Sequence, residues 1–375
     1  MAGVYVHIPF CKTKCPYCDF YSVTNLHPVE DYLRALATEI DLRSYELAGE
    51  TVETIYFGGG TPSLLRGRAV GDIIRRLRRS FDVASEAEVT LECNPGDLST
   101  LDLDEVITAG VNRFSIGAQS FDPSLLRFLG RRHTGEETRA LVRELHRRGV
   151  RNISLDLIYG IPGSGEETLR TDLDALVALE PTHISAYHLI YEEGTPLHYR
   201  LRRGRVSAID EEESLRQSHY VAERLRSAGY EHYEISAFAL PGYRSRHNSS
   251  YWHGIPYIGL GSGAHSYIHP WRSYDPSDVT LYCRQLLRST PFLSRTYERI
   301  TPEMALEEYV LTRLRTCEGL SLREMECLFA SGVREKVLQR AQPYLASGDL
   351  LLEGDRLHLS LHGIDISDAI ILDLI

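Results

Sequence analysis

Short apolar, β-branched runs recur along roughly the first 240 residues and alternate with stretches whose apolar positions fall at helical spacing. The strand-like runs are "VYVHIP" from Val4, "TIYFGG" from Thr54, "EVTLEC" from Glu88, "RFSIGA" from Arg113, "NISLDLIYG" from Asn152 and "HISAYHLI" from His183. The helical stretches are Val29–Leu47, Ala69–Arg79, Leu101–Ala109, Glu136–Arg148, Glu166–Leu179 and Asp210–Ala228. "GEET" and "GEETL" put acidic residues where a helix N-terminus favours them. Continuous apolar strands that alternate with helices predict an α/β fold, a parallel sheet covered by helices.

The polar positions sharpen this prediction. "GGGT" ends the second run, Glu92 the third and Gln119 the fourth, while Asp156 lies in the fifth and His188 in the sixth. Any one of them alone reads as a satisfied core polar group. In succession at the C-terminal ends of parallel strands, they read as the site of a barrel. Six units are short of the eight of a closed TIM barrel, so a partial (β/α)6 barrel over residues 1–237 is expected.

The rhythm breaks near Phe238. Residues 238–295 are rich in Gly, Tyr, His and Pro and read as a loop-rich extension. Residues 296–375 read as a small winged-helix-like α+β module: helices around a Gly turn, a further helix, then a hairpin turning at "EGDR".

Composition excludes some classes. The chain has 41 basic and 52 acidic residues, a net charge of −11, which argues against nucleic acid as a partner. The lysines are Lys12, Lys14 and Lys336; the other basic residues are arginine. No apolar run approaches a membrane span, and the N-terminus lacks the pattern of a signal peptide. Seven cysteines, with Cys11, Cys15 and Cys18 bunched together, argue against a disulfide framework and for a reducing cytoplasm. The scattered Cys93, Cys283, Cys317 and Cys327 are expected as buried small hydrophobes, with Cys93 alone near the site.

"CKTKCPYC" admits three chemistries. Zinc would need a fourth ligand, His7 or something remote. A redox dithiol at Cys15 and Cys18 has no use for Cys11. Three thiolates can also hold an iron–sulfur cube that leaves one iron open. Cys-x3-Cys-x2-Cys with an aromatic, Tyr17, before the last Cys resembles the motif of the radical SAM superfamily, and "GGGTPS" after the next strand strengthens the likeness. "YVHIPFCKTKCPYCDF" and "YFGGGTPS" resemble the branch that holds oxygen-independent coproporphyrinogen III oxidase (HemN) and HemW.

That resemblance implies a [4Fe–4S] cluster on Cys11, Cys15 and Cys18, with S-adenosylmethionine (SAM) chelating the fourth iron. It further implies SAM contacts from Tyr5, Tyr17, Gly59, Gly60, Thr61, Glu92, Gln119, Arg131 and Asp156. Two departures separate the chain from the oxidase pattern. Phe20 stands where the oxidase has a further cysteine, and with ten residues before Cys11 the oxidase's N-terminal extension is expected to be missing. Both departures match the HemW type, a heme chaperone that passes heme to client proteins. "HNSSYW", His247 to Trp252, matches that type's HNxxYW motif and makes His247 the expected heme ligand, with His253 and His265 behind it. The expectation is a cytoplasmic radical SAM protein binding heme, without coproporphyrinogen oxidase activity. The alternative is the oxidase, which decarboxylates propionate side chains.

Overall fold

The computed structural model describes residues 1–375. All six predicted strands form. They are β1 (Ala2–Ile8), β2 (Val52–Gly59), β3 (Val83–Cys93), β4 (Arg113–Gln119), β5 (Asn152–Tyr159) and β6 (His183–His188). They run parallel and pair in chain order. The crossovers are the predicted helices: Val29–Leu42, Gly67–Ser80, Thr100–Ala109, Gly135–Arg147 and Glu166–Val177, with Glu211–Ser227 after β6. Val4, Val6 and Ile8 of β1 alternate with Tyr5 and His7, so one face packs on the helices while the other fills the barrel interior.

The sheet is not closed by these six strands; it grows at both edges into twelve. Beyond β6, β8 (Ala237–Ala239) pairs antiparallel, with β7 (Glu231–Glu234) at the edge. On the other side, β9 (Tyr257–Leu260) pairs parallel with β1, and β10 (His265–Ile268), β11 (Trp271–Tyr274) and β12 (Thr296–Arg299) follow antiparallel. Within the segment 238–295, expected to be loop-rich, these short strands join the barrel sheet. Strands of three or four residues between Gly and Pro turns are too short to display a period. Tyr282 and Leu286 of the helix Val279–Leu286 belong to the barrel core.

The C-terminal module has the predicted winged-helix order: helices Pro302–Leu314, Leu322–Leu328 and Val333–Ser347, then the hairpin β14 (Leu350–Glu353) and β15 (Arg356–Leu359). A short β13 (Leu320–Ser321) completes its sheet, and two closing helices within 361–374 went unpredicted. The module has its own core, with Val310, Leu314, Met325 and Ile370 at its centre. Backbone bonds from Cys317 N to Tyr233 O (3.0 Å) and from Ile235 N to Arg315 O (3.2 Å) fasten it to the β7–β8 edge. Two cysteines depart from expectation: Cys317 and Cys327 are exposed on this module, whereas Cys93 and Cys283 are buried. No helix is long and apolar enough to cross a membrane.

One buried cation joins the barrel to its added strands. Arg43 is 4% exposed. It donates to Glu39 (2.8 Å), to the carbonyl of Gly259 on β9 (2.6 Å), to Ser266 on β10 (2.9 Å) and to Glu46. Asp275 lies 3.5 Å away. Removing one partner of such a network strands the others in low dielectric. Arg43→Leu is expected to cost about 3–5 kcal/mol, read as a lower denaturant midpoint.

Candidate functional site

The cysteine loop leaves the C-terminal end of β1 and is fixed by main-chain bonds. Val23 N donates to Pro9 O (2.7 Å), Cys11 N to Val23 O (3.0 Å), Gly60 N to Ile8 O (2.9 Å) and Thr61 N to Phe10 O (2.8 Å). The turn after β2 is thereby pressed against the start of the loop. A Cβ on Gly60 would lie 2.7 Å from Ile8 O and 2.8 Å from the backbone of Phe10. Gly60 is thus required by the protein's own backbone, whatever ligand approaches it.

The loop opens on a cavity of about 440 Å³. Cys11, Cys15 and Cys18 all line it, together with Tyr17, Gly59, Gly60, Thr61, Glu92, Gln119, Arg131 and Asp156. Of the residues expected to hold the cluster or SAM, Tyr5 is the exception. It lies inside the barrel, its hydroxyl 3.0 Å from His7 Nδ1 and its ring stacked on Tyr56. His188 and Cys93 also reach the cavity.

The thiols have donors. Thr61 Oγ1 donates to Cys11 Sγ (3.6 Å) and Arg131 to Cys15 Sγ (3.7 Å). Arg131 also donates to Gly117 O (2.7 Å) and to Asn94. Asn94 in turn donates to Thr61 (3.1 Å). Sequence reasoning missed Asn94, although "ECN" places it two residues after Glu92 at a strand end. No three His, Cys, Asp or Glu side chains converge on a point suited to a single ion. A zinc site needs thiolates about 2.3 Å from one metal, and His7, the proposed fourth ligand, is turned inward with Nε2 2.9 Å from Tyr21 O. Three thiols lining a cavity of about 440 Å³ fit a larger inorganic group better than a lone ion.

Two carboxylates line the cavity deep in the barrel. Glu92 accepts from Tyr56 Oη (2.7 Å) and from Gly59 N (3.2 Å). Burial pushes its pKa up to about 7, against the pull of those two bonds. Burial likewise raises Asp156 to about 6, opposed by Ser185, Arg113 and Arg131. Gln119 holds a φ of 64°, a left-handed conformation that is costly for a side-chain-bearing residue, at an irregularity that turns the end of β4. Two acceptors, an arginine, Tyr17 and a cavity of this size beside the thiols fit a ligand that carries hydroxyls, a carboxylate and a flat ring.

His247 is not at this site. It is fully buried near the opposite, N-terminal ends of the strands. Its Nδ1 lies 2.7 Å from Thr54 Oγ1 and its Nε2 2.8 Å from Tyr251 Oη, and its ring stacks on Tyr56 at 5.1 Å. Burial lowers its pKa to about 3, so it is neutral. Glu88 accepts from its backbone N–H (3.1 Å). With both ring nitrogens engaged and no solvent face, His247 in this arrangement has no nitrogen to offer an iron. "HNSSYW" forms the helix Arg246–Trp252, which plugs the barrel floor, and Trp252 O accepts from Arg313 of the C-terminal module (2.8 Å). His253 and His265 are both exposed.

Fold and cysteine site together define a class: the pattern of the radical SAM superfamily matches residues 5–176, and that of the HemN C-terminal domain residues 300–366. Coproporphyrinogen III oxidase (HemN) from Escherichia coli, itself a radical SAM enzyme, superposes with a TM-score of 0.86 over 100% of this chain and 89% of its own, at 22% identity; this likeness is one of fold. The heme chaperone HemW of Mycobacterium tuberculosis H37Rv is 36% identical over 377 residues, covering 100% of this chain and 94% of its own. HemW of Escherichia coli K12 is 38% identical over 272 residues, covering 71% and 70%. The chain belongs to the HemW family.

Two outcomes follow from this geometry. Gly60→Val should disturb the cysteine loop as well as any ligand, at a cost of about 3 kcal/mol, and reconstituted protein should hold less iron and sulfide than wild type. His247→Ala should open a cavity and leave Thr54 and Tyr251 without a partner, at a cost of about 2–4 kcal/mol in thermal or denaturant unfolding. The spectrum of any heme bound to the surviving fold should match that of wild type.

Proposed function

We propose that the chain is a cytoplasmic heme chaperone that binds heme and passes it to client proteins, with a [4Fe–4S] cluster and SAM as cofactors. The observation that carries this reading is full-length similarity to proteins named heme chaperone HemW, at 36% identity over 377 residues. Phe20 supports it: where the oxidase pattern has a cysteine, this chain sets an apolar ring that is 64% exposed at the cavity mouth.

In this reading Cys11, Cys15 and Cys18 hold the cluster, and Thr61 and Arg131 donate hydrogen bonds to the sulfurs of Cys11 and Cys15. When bound, such a cluster supplies an electron donor with one iron left for SAM to chelate. Glu92 and Asp156 accept hydrogen bonds from ligand hydroxyls, Arg131 is the cation for a carboxylate, and Tyr17, Gly59, Gly60 and Gln119 shape the wall. Tyr5 acts one step removed, by holding Tyr56 and His7 in place. The heme ligand is a group other than His247.

The test is anaerobic reconstitution followed by paired assays. Wild type should bind heme stoichiometrically and leave coproporphyrinogen III unconverted with cluster, SAM and reductant present. Cys15→Ala should lose most cluster iron, since it removes one of three protein ligands. Release of carbon dioxide from coproporphyrinogen III in step with SAM consumption would establish the oxidase instead.

A further inference from the structure

Beside the cavity mouth lies a second hollow of about 420 Å³, lined by Gly194, Pro196, Tyr199, Arg200, Arg203 and Arg205. It is carried by the helix Pro196–Arg202 and the turn after it, in the stretch "YRLRRGR". Arg200, Arg202, Arg203 and Arg205 are all exposed. On the flanking helices, Arg170 pairs with Glu167 and Arg216 with Glu212 and Glu213, whereas none of these four has a carboxylate partner. Four unpaired guanidinium groups in six residues stand out on a chain of net charge −11. Such a patch attracts anions and repels other cations.

The hollow is joined to the cavity by backbone. Leu197 N donates to Pro16 O (2.8 Å), within the cysteine motif itself. The loop between β6 and this helix lines the cavity with Leu189, Ile190 and Glu192, then lines the hollow from Gly194 onward. On the cavity side of this loop Phe20 is 64% exposed, Ile190 62% and Tyr187 46%. An exposed apolar rim bordered by unpaired arginines matches a flat apolar molecule with carboxylates on one edge.

We propose that this hollow is a carboxylate site: Arg200, Arg203 and Arg205 take the propionates of heme while its macrocycle lies on Phe20 and Ile190. The inference rests on the heme reading above. Guanidinium forks bind carboxylates in bidentate fashion, which fixes orientation as well as affinity. Glu192 and Glu193 are exposed on the intervening loop and repel a carboxylate turned toward the cavity. The propionate edge is therefore held outward, on the arginines.

The experiment titrates hemin and hemin dimethyl ester, in which both propionates are neutral, into reconstituted wild type and into Arg200→Glu/Arg203→Glu. Arg323→Glu/Arg340→Glu makes the same change in net charge at exposed positions on the C-terminal module and serves as control. The hollow's arginines have no internal partners, so iron content and melting should match wild type in both variants. Hemin should bind Arg200→Glu/Arg203→Glu about tenfold or more weakly, with the control unchanged and the ester indifferent to either variant. Equal hemin affinity in wild type and Arg200→Glu/Arg203→Glu overturns the assignment and leaves the chaperone reading standing. Loss of binding to anionic vesicles with hemin affinity unchanged assigns the patch to a lipid surface and likewise overturns it. If wild type binds neither hemin nor its ester, the chaperone reading falls and this assignment falls with it.

Discussion

The molecule turns on a pinch at the C-terminal end of β1. Gly60, after β2, leaves no room for a Cβ against Ile8 O and the backbone of Phe10. Gly261, after β9, leaves none against His7 O, 2.6 Å away, and adopts a φ of 106°. Two turns from neighbouring strands thus clamp the strand end from both sides. The cysteine loop begins at once beyond that clamp, and three main-chain bonds hold its first residues. Because backbone rather than side chains sets the loop's starting point, the thiols inherit the rigidity of the sheet. Everything that depends on their position, from the hydrogen bonds of Thr61 and Arg131 to the shape of the cavity, follows from two glycines having no side chain.

The barrel was legible in the sequence because its strands are long and apolar and its helices amphipathic. Val4, Ile55, Leu91, Ile116, Leu155 and Ile184, one from each predicted strand, all sit in the barrel core. The cavity was legible because strand ends carry polar residues for few other reasons, so Glu92, Gln119, Asp156 and His188 lie together as their order implies. The outer strands were not legible. β9 to β12 have four residues each, and their partners lie across turns whose Gly and Pro content reads as loop. Asn94 escaped notice because a lone amide after a strand has many ordinary roles. Its importance lies in bridging Thr61 and Arg131, a tertiary fact.

His247 shows how far a motif match and a side chain's surroundings can point in different directions. "HNSSYW" resembles the HNxxYW motif of the HemW type, and its histidine has the chemistry that iron requires. Yet the helix that carries it caps the barrel's far end. There Thr54, Tyr251 and Tyr56 surround the imidazole, and Glu88 anchors its backbone. The motif closes the barrel floor: its histidine stacks on Tyr56, whose hydroxyl supports Glu92, and its Asn248 lines a small pocket with Glu92 and Asp156. A histidine's ring nitrogens declare its role only when their partners are known.

The pairing of β9 with β1 has a consequence for how the chain is made. β1 leaves the ribosome well before its second neighbour, Tyr257–Leu260, which lies about 250 residues further along the chain. At synthesis rates of about 5–20 residues per second, roughly 10 to 50 s separate the two. Throughout that interval one side of β1 presents unpaired amides and carbonyls beside three nascent thiols, an open edge of the kind that recruits foreign strands. The nascent barrel therefore has a window of vulnerability that ends only when the glycine turn after β9 arrives, and shielding by the translation machinery's chaperones would matter most in that window.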